Sequence, residues 1–509
     1  MSRSKRFISG MITGYAQVTV NVIYTLASVP MALKYLDKEQ FGLWALVTQI
    51  TSYLILIEFG LSDSICRHLS DHKDDKSSQA YANTIRTGTW VFSIQGLILI
   101  ALTGAIALPF TSLLAIPAQL TSDFVTLLCC HAFIAALHLA SRPHGAILWS
   151  HQRHDIINAL GICSLLISYA GLWLGFILGW GLYSTVFAGF CSFLISIILS
   201  VLANIRLNYY PARGITGRFS IKQFKQLFGF GGELFIMNLG LQATNASRMA
   251  IISRFMGLEA ASNWAIASKA SSLAQSLTWR IYDTSAPGLA EMETRRENIK
   301  LNDRYRDVTQ FSCFFSLLAC CGLAVVFEPL LSIWTSGKIT WNSHNNLLLG
   351  LLVVSTTISR CYTGVSSIKK NIGGMKYACL LEAICFITLA IFLTKLYGYT
   401  GMLISALICN TTICLGYGIL RSKRILHLEN SFTSSYILKI TSSMFLITGI
   451  HYATLYFNLS NHGDIMHAVV GILITLATAP VIWILTIHRY LRKEIKNKIF
   501  NKFGLLRYR

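Results

Sequence analysis

Residues 181–205 read GLYSTVFAGFCSFLISIILSVLANI, without a single acid or base, and Arg206 follows at once. A run of about 20 mostly apolar residues is the length an α-helix needs to cross a bilayer. In lipid every backbone N–H and C=O must be satisfied internally, and a helix does this alone. Working outward from 181–205, the pattern recurs along the whole chain: 10–33, 41–66, 87–108, 122–141, 156–178, 226–252, 261–282, 308–330, 346–367, 377–396, 399–420, 434–457 and 465–487. The expected fold is all-α and integral to the membrane, with about 14 transmembrane helices.

Composition agrees. Of 509 residues 53% are hydrophobic and 13% charged, against roughly 25% charged in soluble proteins. Mean hydropathy is +0.54. The formal charge of +21 does not point to nucleic acid, because the bases flank apolar runs, where they set topology and draw the chain weakly to anionic lipid. Most of the 13 cysteines sit inside apolar runs, as Cys129, Cys130, Cys320 and Cys321 do, and read as small buried hydrophobes. With no C-x-x-C or H-E-x-x-H, and with His151 and His154 alone in a basic loop, no metal or cofactor is expected. The first run carries Gln17, Thr19, Asn21 and Thr25. That is too polar for a signal peptide, so it reads as an uncleaved span.

An even span count puts both termini on one side. That side holds Arg3, Lys5, Arg6, Arg86, Arg206 and Arg218, with eight further bases from Arg489 to Arg509; the other shows Lys34, Lys38, Arg254, Lys338 and Lys395. Positive residues favour the cytoplasm, so both termini are expected inside. The longest loops, around 206–225 and 283–307, are cytoplasmic in this reading. No loop has room for a folded domain, so function must lie between the helices.

An offset of 220 aligns the segment from Lys34 with that from Arg254. Glu39 meets Glu259, Trp44 meets Trp264, Ala45 meets Ala265, Ser52 meets Ser272, Asp63 meets Asp283 and Gln49 meets Lys269. The order and direction match, as in a parallel repeat. The implied plan is an N-terminal six-helix lobe (1–205), a cytoplasmic linker (206–225), a second six-helix lobe (226–425), and two extra helices with a basic tail (426–509).

Polar residues inside the spans mark the candidate site, since a charge at the bilayer centre costs about 2.5–3.5 kcal/mol. Asn238, Gln242, Asn245 and Arg248 follow steps of 4, 3 and 3, and so share one helical face. Lys269, Ser272, Ser276 and Arg280 do the same in the next run, and Gln17, Asn21, Thr25 and Ser28 in the first. These stripes suggest a hydrophilic cavity whose outer half Arg248 and Lys269 make cationic. The competing account has Arg248 reaching the interface, as Arg254 is expected to do, and the amides joining helices. Glu58, Asp63, Glu233 and Glu382 are candidates for a coupling proton; Glu58 and Asp63 also fit a helix cap or a pair with Arg67. His131 and His138, on one face of their run, read as buried hydrogen-bonded side chains.

The stretch FGLWALVTQITSYLILIEFGLSDSICRHLS, 41–70, resembles the signature region of bacterial polysaccharide transporters of the Wzx type, the O-antigen flippases. In those a short outer loop ends in Glu-x-Phe-Gly-hydrophobic-Trp/Tyr, and the next helix ends near an acid and Gly-Leu. Glu39, Phe41, Gly42, Leu43, Trp44, Glu58, Gly60 and Leu61 hold the matching places here. The run around LFGFGGELFIMNLGLQATNASRMAIISRFMG is also similar, although Ser247 stands where an aspartate often precedes the arginine. The resemblance implies the fold of multidrug and toxin extrusion-like transporters: two six-helix bundles, here with two C-terminal helices, working by alternating access in the bacterial inner membrane. It further implies a substrate: an oligosaccharide on undecaprenyl pyrophosphate. Arg248 and Lys269 would meet its phosphates, and Asn238, Gln242, Asn245, Gln17 and Asn21 its sugars. Membrane lipids and polysaccharide polymerase components are the implied partners. A drug exporter of the same fold is the first alternative, although it would want cavity carboxylates. A membrane glycosyltransferase or polymerase is the second, but the chain lacks D-x-D and its adjacent acids, Asp74 and Asp75, lie in a cytoplasmic loop.

Overall fold

The computed structural model describes residues 3–494 apart from 73–74, 76–77, 213, 340, 369–372, 427–429 and 458–462. The described residues form helices and their connections, with no strand. In order these are α1 (Arg3–Tyr35), α2 (Lys38–Leu54), α3 (Leu61–His72), α4 (Gln79–Leu113), α5 (Thr121–Ser150), α6 (His154–Ile177), α7 (Ser184–Arg206), α8 (Ile221–Thr294), α9 (Asn298–Thr335), α10 (His344–Ile368), α11 (Met375–Cys409), α12 (Gly416–Leu426), α13 (Asn430–Tyr456) and α14 (Asp464–Thr486). Two are bent rods, with non-helical backbone at Gly257 in α8 and Gly398 in α11.

Among the described residues, nine helices are long and apolar enough to cross a membrane. α2 falls short because it stops after 17 residues, and α8 because polar positions dilute its apolar face. Large hydrophobics point outward, among them Leu97, Leu108, Phe445, Ile465 and Leu476. Apolar area turned outward on this scale fits lipid as the solvent.

The chain divides into two compact units, Met1–Ala265 and Ile266–Arg509, the division falling inside α8. In the first unit α1 packs on α6 through polar as well as apolar groups. Asn158 Nδ2 donates to Thr13 Oγ1 at 3.2 Å, and the hydroxyls of Tyr24 and Ser168 lie 3.2 Å apart. The connection after α7 is tied back, with Tyr81 OH donating to Tyr209 O at 2.8 Å and Tyr210 bonding His144 at 2.8 Å. A core of Leu61, Ile65, Leu69, Phe92, Leu99 and Ile147 fills the space between α3, α4 and α5.

In the second unit α9 is the central post. One buried cluster joins its Cys313, Leu317, Cys320 and Val325 to Val354 and Ile358 of α10, Tyr436 and Ile447 of α13 and Ile482 of α14. The two C-terminal helices therefore complete this unit's core.

Candidate functional site

The helix that begins at Lys38 does not run straight to His72. It tightens to a 3-10 turn at Ile55–Glu58, and Phe59 (φ 54) and Gly60 (φ 70) then take the left-handed conformation. Two such residues in succession end a helix. The break frees backbone carbonyls, and buried Gln95 of α4 answers one, its Nε2 donating to Ile57 O at 2.8 Å. Glu58 stands at this break. Its carboxylate is 2.8 Å from the Arg142 guanidinium of α5, their side chains 13% and 37% exposed. Arg142 also donates to Ser62 Oγ at 3.0 Å, and Glu58 Oε1 accepts from Ser62 N at 3.3 Å. An arginine–carboxylate pair at a discontinuous membrane helix is an arrangement transporters use at ion and substrate sites. Arg142, on another helix, is thus a partner of Glu58 that lies outside its own helix. The side chains of Arg67, Asp63 and Glu233 lie outside the described residues.

On α8, Asn238, Gln242 and Asn245 share one face and are exposed along it. Arg248 continues the stripe half-buried, next to buried Ser247. Ser247 Oγ turns back to Ala243 O at 2.6 Å, and Tyr53 of α2 donates to the same carbonyl at 2.9 Å. Arg254 reaches Ser112 O at 3.3 Å. On α1, Asn21 is exposed, while Gln17 lies half-buried with its amide against Gly161 of α6, in the space a Cβ there would take. Thr25 and Ser28 are buried. The stripe on α1 is therefore divided: Gln17 packs on a neighbouring helix and Asn21 is open.

The outer-loop motif has a packing role. Phe41 is buried, and a Cβ on Gly42 would collide with Leu258 O, so only glycine lets α2 lie this close to the second rod of α8. Lys38 and Glu259 join across the same contact at 2.7 Å. The two segments aligned by the 220-residue offset therefore touch.

In the second unit Lys269 is half-buried, and no hydrogen bond or ion pair reaches it among the described residues. Further along α8, Gln275 Nε2 donates to Thr356 at 2.8 Å, and Asp283 pairs with Arg360 of α10 at 3.0 Å, Arg360 also stacking 5.4 Å over Trp279. Glu382 of α11 is 4% exposed. Its Oε1 accepts from Asn410 Nδ2 at 3.1 Å, and Asn410 Oδ1 accepts from Ser355 at 2.6 Å. Its other oxygen is buried with no hydrogen bond from nitrogen or oxygen among the described residues, beside the thiol of Cys414. Asn410 opens a π-helical stretch, Asn410–Leu415, an irregularity frequent at functional sites.

The sequence reading passed over Arg142, Gln95, Arg360 and Asn410. For Arg142 the visible signal was a basic residue directly after the apolar run 122–141, inside α5 as the structure draws it. Nothing local marked Asn410, whose role comes from the helix it faces. Of the two histidines expected to be buried, His131 is half-buried with its Nδ1 3.0 Å from Leu127 O, and His138 is exposed, because their seven-residue spacing does not keep both on the packed side of α5.

Fold and site together define a multi-pass α-helical membrane transporter with charged and amide side chains set into its helices. The sequence matches the family described as "Polysaccharide biosynthesis protein" over residues 15–342, and the chain belongs to that family. A Shigella flexneri protein provisionally named an O-antigen transporter is 23% identical over 414 residues, covering 77% of this chain and 91% of the relative. Among solved structures, the lipid II flippase MurJ in an inward closed conformation gives a TM-score of 0.67 at 16% identity, covering 94% of this chain and 99% of that one. An inward-facing multidrug resistance MATE family transporter of the MOP superfamily gives 0.63 at 11% identity, covering 79% and 98%. At such identities the likeness establishes the shared fold. The family match bears out the resemblance to Wzx-type transporters of polysaccharide biosynthesis.

Proposed function

We propose that this protein flips an undecaprenyl-pyrophosphate-linked oligosaccharide, the repeat unit of O-antigen or a similar polymer, from the cytoplasmic to the periplasmic leaflet of a bacterial inner membrane. In this reading the chain crosses the bilayer about 14 times, with both termini cytoplasmic. The observation that carries it is the exposed amide stripe Asn238–Gln242–Asn245 leading to Arg248 on α8. Amides facing hydrocarbon are costly, whereas amides along a wetted path bind sugar hydroxyls. Family membership and the named role of the Shigella flexneri relative support a saccharide cargo. Arg248 and Lys269 are the proposed phosphate or acidic-sugar contacts, Gln17 and Asn21 further polar contacts, and alternating access the transport mode. Glu382 is the foremost coupling candidate, because a buried carboxyl with one oxygen lacking a nitrogen or oxygen donor gains most from a proton or cation. Glu58, held by Arg142, ranks below it, followed by Asp63 and Glu233.

The test is depletion in the native host, with the leaflet position of lipid-linked units as readout. Single units should gather on the cytoplasmic leaflet and clear on complementation with wild type. Arg248→Ala and Lys269→Ala, at equal expression, should slow clearance about 10- to 100-fold, the worth of one charge-assisted contact. Normal arrival of units at the outer leaflet in depleted cells would overturn the proposal and direct attention to export of other solutes.

A further inference from the structure

The second unit holds a partly open cavity of about 60 Å³ whose lining includes Glu328 of α9, Ser343 ahead of α10, His451 and Thr454 of α13 and His467 of α14. His451 is 1% exposed. Its Nδ1 lies 2.8 Å from Ala324 O. A carbonyl only accepts, so Nδ1 carries the hydrogen and the neutral ring turns a lone pair outward at Nε2. That nitrogen is buried without a hydrogen bond in the described structure, a costly state for a polar atom. Glu328 accepts a hydrogen bond from Ser343 and exerts its charge on His451. From the other packed elements, His344 of α10 acts on the ring through its charge, His467 lines the cavity from α14, and Asp464 of α14 accepts from Ser332 at 2.5 Å. The space admits a water-sized guest.

We propose that this cavity is a proton-binding site in which His451 Nε2 takes the proton and Glu328 neutralises the imidazolium that results. Oxygen-seeking metal cations fit less well, because the donor without a partner is an imidazole nitrogen. Protonation creates a histidine–glutamate ion pair between α13 and α9. Its test does not depend on transport.

The full chain, labelled with ¹⁵N-histidine and held in lipid nanodiscs, would be titrated from pH 8 to pH 5 by NMR. The Nε2 resonance missing from His451→Gln should pass from unprotonated to protonated within that range. In Glu328→Gln the midpoint should fall by at least one pH unit, about a tenfold higher proton concentration, because the carboxylate favours the charged ring. A second readout guards against misfolding of the variants: at pH 8, where the ring is neutral, each should elute as a monodisperse peak and unfold close to the wild-type temperature. An Nε2 still unprotonated at pH 5, or an unmoved midpoint in Glu328→Gln, overturns the proposal. A midpoint that shifts when sodium replaces choline also overturns it, in favour of a metal cation.

Discussion

At Glu58 a carboxylate sits in a helix that would otherwise be apolar, and three groups hold it: the Arg142 guanidinium, the Ser62 backbone and the break that turns it toward α5. Removing one member of such a pair leaves the other charge poorly solvated, which costs more than losing both. Glu58→Gln should therefore lower stability in detergent by about 1–3 kcal/mol, a figure reduced for partial exposure. Glu58→Gln combined with Arg142→Gln should recover part of that loss in the same unfolding measurement. Glu382 differs, because its hydrogen bonds are to neutral Asn410. Glu382→Gln should leave the melting temperature nearly unchanged while abolishing any dependence of transport on the ion gradient, as measured in proteoliposomes. A large stability loss would instead make Glu382 a structural acid. Sequence reading picked out both acids as unusual. It did not find their partners, because Arg142 and Asn410 lie 84 and 28 positions away and meet them only across helix faces.

At the scale of elements, the α2–α3 break and the α2–α8 contact carry the signature motif. The Phe-Gly of 41–42 and the Phe-Gly of 59–60 look alike as text but serve opposite ends: Gly42 permits close approach, and Gly60 permits a left-handed turn. Gly42→Val places atoms where Leu258 O already lies. It should cost at least the 1–3 kcal/mol typical of overpacking, read as lost yield of monodisperse protein. Gly60→Ala should cost about 1–2 kcal/mol through the left-handed backbone. Equal effects of the two substitutions on stability, with Gly42→Val well tolerated, would refute the packing argument. The sequence signalled turn chemistry at Gly60, but not that the freed Ile57 carbonyl would be met by Gln95.

At the scale of the molecule, α13 and α14 bury Tyr436, Ile447 and Ile482 against α9. A chain ending at Leu426 should therefore aggregate or be degraded, exposing the apolar side of α9 that those helices cover. A soluble, monodisperse truncation by size-exclusion chromatography would show the pair to be an accessory. Topology is testable at the same scale. A reporter active only outside the cytoplasm should work when fused after Lys38 or Lys338 and fail after Arg218, as the distribution of basic residues requires.

By itself, the sequence determined that the protein is helical and belongs in a membrane, because lipid imposes a one-dimensional rule: long apolar runs, with bases at their ends. The same rule made every polar residue inside a run conspicuous. The stripe on α8 was legible because helical period alone sets which residues share a face. Only the tertiary structure decided which polar residues are joined and which stay open. It paired Glu58 with Arg142 and set Gln17 against α6 while leaving Asn21 open. It also brought His451 and Glu328 to one cavity at the meeting of α9 and α13. Those outcomes depend on contacts between segments far apart in the chain, and no local pattern encodes which faces will meet.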